Sequence, residues 1–293
     1  MNLQINKKKK VQNAWAMYDW ANSVYSLVIT STIFPVYYNS VTKGLDGSDR
    51  VDFFGFEVAN TVLYSYSISF SYFVIALISP LLSGISDYVG NKKSFMKFFC
   101  YLGALSCIGL YWFSLESIFI SLVFYFLGLV GFWGSWVFYN SYLPDIAYAN
   151  QQDAISAKGF SYGYVGSVIL LIVNLAMIMM PDLFGISGTK GEAAMKAMRY
   201  SFVMVGVWWI LFSQYTYYYL PKGNKIVASS IKKHIIFNGF KELKKVWFLL
   251  ADNSALKKYL GSFFVYSMAV QTVMLIATYF GAQEIQWASQ SES

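Results

Sequence analysis

Charge is what this chain has least of. Acidic and basic residues together make up 13% of its 293 positions, about half the share in a soluble globular domain. So few charges cannot coat a water-facing surface of this size, which excludes a soluble enzyme, a nucleic-acid-binding domain and a disordered chain. Histidine occurs once, as His234, and cysteine twice, as Cys100 and Cys107. Metal chemistry and a disulfide framework have nothing to build on, and no cofactor is expected. Enzyme motifs are missing too. There is no Gly-x-Ser-x-Gly elbow, and Gly188-Thr189-Lys190 lacks the four-residue spacing of a phosphate loop.

What fills the chain is apolar. Hydrophobic residues reach 57% and the mean hydropathy is +0.45. A hydrocarbon core needs about 20 mostly apolar helical residues. Seven stretches qualify, near Trp15–Tyr38, Val58–Leu82, Phe95–Phe113, Ile118–Phe138, Phe160–Met180, Tyr200–Leu220 and Tyr259–Phe280. They are too long and too evenly apolar for barrel strands. The fold class expected is therefore all-α integral membrane, with the bilayer as first partner and no nucleic acid.

The net charge of +7 then sets topology. With the N-terminus cytoplasmic, most lysines fall inside; Lys43, Arg50, Lys190, Lys196 and Arg199 fall outside. Residues 1–14 form a basic cytoplasmic N-terminus, 15–220 a six-helix half, 221–258 a cytoplasmic linker and 259–293 the opening of a second half. In the linker, Ile231, Ile235, Ile236, Phe240, Leu243 and Trp247 recur at helical spacing among lysines, as in an amphipathic helix on the membrane surface.

Polar residues at membrane depth are candidate functional residues. Asp19, Asn22, Ser23, Ser26 and Thr30 share one face of the first span. Asn60, Tyr64, Ser67 and Ser71 share a face of the second, and Ser267, Gln271 and Thr278 a face of the seventh. Three stripes turned to one centre would make a water-accessible path. Asp19 is the one carboxylate within the spans, and two readings stay open for it: a substrate- or proton-binding group, or a structural anchor. Gly159, Gly163 and Gly166 in the fifth span give a small-residue face, for close packing or as a hinge. Pro35 is a candidate kink in the first span.

The segment Gly84-Ile85-Ser86-Asp87-Tyr88-Val89-Gly90-Asn91-Lys92-Lys93 resembles the loop signature of the major facilitator superfamily, with Ser83 in place of the usual first glycine. The stretches Trp15–Ser23, Val137–Asp145, Gly159–Gly166, Trp208–Phe212 and Val270-Gln271-Thr272 look like the vacuole-effluxer branch, whose fungal members are autophagy-related vacuolar amino-acid effluxers. The resemblance implies an N-terminal six-helix bundle of the major-facilitator type plus a seventh helix. It also implies a gating loop at Asp87, Gly90, Lys92 and Lys93. Complete members have about twelve spans, so a C-terminal half is expected beyond this chain. The function implied is secondary transport of a small solute, with amino acids and a coupled proton as candidates, in the direction of efflux from a bacterial plasma membrane. Solute- and proton-path candidates are Asp19, Asn22, Ser26, Asn60, Tyr64, Tyr139, Asn140 and Gln271. A transport-incompetent fragment, a seven-helix receptor and a membrane-embedded enzyme remain as alternatives.

Overall fold

The computed structural model describes residues 2–43, 48–89, 91–222, 244, 248 and 253–284, with 2–7, 83–89 and some positions from 274 onward described by backbone alone. Gly90, His234 and the amphipathic pattern from Ile231 to Trp247 lie outside the described residues.

The first helix is longer than its apolar stretch. α1 (Asn2–Val24) runs directly into a π-helical segment, Tyr25–Ile33, and then into α2 (Phe34–Thr42). Each π turn takes in roughly one extra residue, with i→i+5 bonding. Threonine hydroxyls follow the same step: Thr30 Oγ1 donates to the Tyr25 carbonyl at 3.2 Å and Thr32 Oγ1 to that of Leu27 at 2.7 Å. Pro35 falls in the first turn of α2, directly after the π segment.

A short hairpin follows, β1 (Arg50–Phe53) paired antiparallel with β2 (Phe56–Ala59). Phe54 and Gly55 turn it with φ of 55° and 82°, the backbone of a two-residue I′ turn. Periodicity did not announce this hairpin, because the apolar run through Val58 reads as the start of a span. The remaining helices are α3 (Asn60–Val89), α4 (Lys92–Gly109), α5 (Ile118–Ser141), α6 (Leu143–Ile146), α7 (Ala149–Met179), α8 (Lys190–Tyr219) and α9 (Ser254–Glu284). α8 begins with a reciprocal capping box between Thr189 and Glu192.

Four helices among the described residues are long and apolar enough to cross a membrane: Asn60–Leu82, Lys92–Trp112, Ile118–Ile146 and Ala149–Met179. The first and sixth expected spans coincide with helices of more polar composition, and the seventh falls within α9, part of which is described by backbone alone. α1 opens with Lys7 to Lys10, α8 carries Lys196, Arg199 and a run of tyrosines, and α9 carries Lys257 and Lys258.

α1 is the centre of the bundle and packs against α7 and α8, while α4 packs against α5 and α8. Backbones meet most closely at Gly103 and Gly131. A methyl group on Gly131 would run into the Gly103 backbone, and one on Gly103 would meet the Trp209 ring at 2.5 Å. In lipid, where burial alone does not drive helices together, close approach of this kind supplies the dispersion energy that does. The interior is strongly aromatic. Phe34 stacks on Tyr125 with centroids 4.1 Å apart, and Trp15, Tyr18, Tyr25, Tyr64 and Trp209 are all buried. α9 packs along α2 and the π segment, yet most of its apolar side chains stay exposed, among them Phe264, Val265 and Val273.

Candidate functional site

A cavity of about 320 Å³ opens between α1, the π segment, α5, α7 and α9. Most of its polar lining comes from α1 and the π segment: Asp19, Asn22, Ser23, Ser26 and Ser31. α5 contributes Phe132, Trp133 and Trp136, α7 contributes Phe160, Tyr164 and Ser167, and α9 contributes Val270 and Gln271.

Asp19 is 4% exposed. Its Oδ2 accepts a hydrogen bond from the Tyr139 hydroxyl at 2.9 Å. Tyr139 is itself fixed from the other side. Its ring stacks on Trp15 at 4.2 Å, and Trp15 Nε1 donates to the Tyr139 carbonyl at 2.8 Å. Room for the pair is made by α7. A Cβ on Gly159 would lie 2.6 Å from Asp19 Oδ2 and 2.9 Å from the Tyr139 hydroxyl, and a Cβ on Gly163 would lie 2.5 Å from Ser23 Oγ. Gly166 meets the Trp20 ring in the same way. Asp19 has no ion pair among the described residues. Lys158, next to Gly159 in the chain, is turned to Asn13 Oδ1 at 2.7 Å. Asn22, 1% exposed, has an amide nitrogen with no acceptor among the described residues.

The cavity thus gathers Asp19, Asn22, Ser26 and Gln271, with Tyr139 joined through its bond to Asp19. The other expected path residues lie elsewhere. Asn60 is an internal tie: its amide donates to Thr42 Oγ1 at 3.0 Å, and its carbonyl accepts from Tyr38 at 2.9 Å. Tyr64 belongs to the aromatic core, beside Phe34, Tyr38 and Tyr125. Asn140, one residue from Tyr139, is turned outward and exposed. The second-span stripe is spent within its own helix, where Ser67 and Ser71 donate to the carbonyls four residues back.

Two cavity features were not expected. Ser31 takes the place assigned to Thr30, because the π segment turns less per residue and delays the polar face by one position. Trp133 and Trp136 form an aromatic wall, with centroids 5.4 Å apart. Their i, i+3 spacing on one helix face was the available signal.

Two lysines that open α4, just after the connection from α3, hold that connection to the rest of the bundle. Lys92 Nζ pairs with Asp145 Oδ2 at 2.9 Å and donates to the Ser141 carbonyl at 3.0 Å. Lys93 Nζ, buried, donates to the Leu220 carbonyl at 2.7 Å, just past the end of α8. Asp87 lies in α3 with its side chain outside the described positions. Among the described residues no cluster of histidine, cysteine or carboxylate groups could hold a metal ion.

Membrane-length apolar helices packed around a cavity with a polar face define a multi-pass membrane protein. The chain belongs to the family described as "Vacuole effluxer Atg22 like", which matches residues 7–292. It is 31% identical over 281 residues to the uncharacterized MFS-type transporter YxiO of Bacillus subtilis (strain 168), covering 93% of this chain and 60% of that one. It is 27% identical over 190 residues to an uncharacterized protein of Aquifex aeolicus (strain VF5), covering 64% of this chain and 44% of that one. The chain therefore spans roughly half the length of these curated relatives. No solved structure matches it.

Proposed function

We propose that this chain forms the solute-binding N-terminal part of a proton-coupled secondary transporter that exports a small solute by alternating access. The observation that carries the reading is Asp19. It is a buried carboxylate on the wall of a cavity between helices, held by one neutral donor and by no cation among the described residues. Such a group at membrane depth is costly unless it handles a charge that comes and goes. Solute and proton would meet at Asp19, with Asn22, Ser26 and Gln271 around it, and Lys92 and Lys93 would tie the cytoplasmic ends of the helices. The N-terminus would be cytoplasmic in a bacterial inner membrane, as the lysine distribution favours. Residues 15–220 would be the first six-helix half, and 259–293 the opening of the second.

The test is uptake of a panel of small solutes into proteoliposomes under an imposed pH gradient. Gradient-driven uptake that Asp19→Asn abolishes, with unchanged yield and helicity, supports coupling. Uptake that ignores both the gradient and the substitution would sink it.

A second reading is a folded part that does not transport without a remaining half. The exposed apolar side of α9 favours it, since Phe264, Val265 and Val273 would otherwise need lipid on that face. Co-expression with the matching C-terminal portion of YxiO would separate the two: transport restored only by the added portion supports the second reading.

A further inference from the structure

The cavity also carries information about its cargo. Charge on its wall is of one sign. Among the described residues of the lining Asp19 is the sole carboxylate, and no lysine, arginine or histidine joins it. The nearest basic side chain along α7, Lys158, is engaged with Asn13. From α5 the group facing Asp19 is Tyr139, a neutral donor to Oδ2. From α7 it is Gly159, which has no side chain. From α9 it is the neutral Gln271. The lining that Asp19 shares also holds the aromatic rings of Trp133, Trp136, Phe160 and Tyr164. Aromatic rings carry a negative face that attracts cations, tryptophan most strongly. A carboxylate in a desolvated pocket attracts the same ligands and repels anions. An apolar neutral solute would use the rings and leave Asp19 buried and unanswered.

We propose that the solute bound here carries a positive charge, as an amine or quaternary ammonium group. Asp19 neutralises that charge, and the Trp133–Trp136 wall covers the attached apolar groups. The proposal rests on the reading of this cavity as the solute site, and adds the class of solute. The cation occupies the open side of the carboxylate, opposite the Tyr139 hydroxyl. Tyr139 positions Asp19 and does not touch the solute. The serines at 23 and 26 supply neutral acceptors beside it.

The experiment is equilibrium binding of radiolabelled benzyltrimethylammonium to the purified full chain in detergent, with phenylacetate as an anionic competitor of similar size. The quaternary cation keeps its charge at every pH. Saturable binding that phenylacetate does not displace is expected. Asp19→Asn weakens it by at least about tenfold, as loss of a charge pair in a low-dielectric site requires. Replacing both tryptophans by leucine weakens it by roughly three- to tenfold, while phenylalanine at both restores most of it. Absent binding, displacement by phenylacetate, or unchanged affinity in Asp19→Asn would each overturn the proposal. A separate readout tests the cavity itself: a cysteine placed by Ser23→Cys is labelled by a small water-soluble thiol reagent. Labelling at 23 without cation binding refutes the charge class and leaves the cavity standing. A cysteine at 23 that stays unlabelled refutes both.

Discussion

Gly159 faces the hydrogen bond between Asp19 and Tyr139 so closely that any side chain there would touch both partners, at 2.6 Å and 2.9 Å. A glycine on one helix thereby sets the geometry of a pair formed by two others. This predicts coupled effects. Tyr139→Phe keeps the stack on Trp15 and removes the donor, with an expected loss of about 1.5–3 kcal/mol for a bond to a charged group. Gly159→Ala forces the two tips apart and costs a similar amount. In the double variant the hydroxyl that clashes is gone, so the penalties fall short of additive by about 1 kcal/mol or more. Thermal unfolding of the four proteins in one detergent measures this. Additivity would mean that Gly159 is not the spacer of the pair.

The π segment makes a prediction about neighbours in the chain. A regular α-helix would put Thr30 with Asp19, Asn22 and Ser26. The structure buries Thr30 at 4% exposure and brings Ser31 to the cavity. Cysteine introduced by Ser31→Cys is expected to react with a water-soluble thiol reagent roughly tenfold faster than one introduced by Thr30→Cys, since reactivity follows exposure of the thiolate. The native thiols Cys100 and Cys107 are buried and give a low background. Adding Thr32→Val, which removes the 2.7 Å bond to the Leu27 carbonyl, should narrow the difference by loosening the π register. Faster reaction at Thr30→Cys in the parent background would place the register on a plain α-helix.

Much of the architecture was readable because lipid imposes a simple rule: apolar stretches long enough to span must be helices. That rule led to the long helices and singled out Asp19, Asn22, Ser26 and Gln271, which line one cavity. Its failures have local causes. Asn60 and Tyr64 share a helix face with Ser67 and Ser71, as the spacing required, but that face is answered by Thr42, Tyr38 and the helix's own carbonyls. Spacing gives the direction of a side chain and says nothing of what stands opposite. Asn140 follows Tyr139 directly, and the turn of about 100° per residue carries it from the buried side of α5 to an exposed one. The shift from Thr30 to Ser31 depends on π bonding, which has no composition signal of its own.

The two lysines that open α4 are neighbours in sequence with unequal roles. Lys92 meets Asp145, whose side chain is 51% exposed, and an exposed pair of this kind contributes about 0–1 kcal/mol. Lys93 is buried and donates to the Leu220 carbonyl at 2.7 Å, one of the acceptors that the end of α8 would otherwise leave open. Lys93→Met is therefore expected to destabilise by about 1–3 kcal/mol, and Lys92→Met by less than about 1 kcal/mol. High salt should shrink the smaller effect and leave the larger one, because screening acts on exposed charges. Melting midpoints at low and high salt decide the order. A larger effect at Lys92 would show that the exposed pair, and not the α8 contact, holds the connection from α3.

Glycine in these helices is expected to have opposite effects at two places. Gly131 lies against the Gly103 backbone, so a methyl group there has nowhere to go. Backbone cannot step aside as a side chain can, and Gly131→Ala should cost about 1–3 kcal/mol or more through separation of α4 from α5. Gly261, in α9, has nothing within 4 Å of an added Cβ. There the helix gains from alanine's better propensity, and Gly261→Ala should stabilise α9 by about 0.5–1 kcal/mol. Unfolding followed by helical circular dichroism separates the two, because the expected shifts are opposite in sign. A loss at 261 as large as that at 131 would mean that α9 is packed against a surface at that point, which would itself identify the face where a further helix docks.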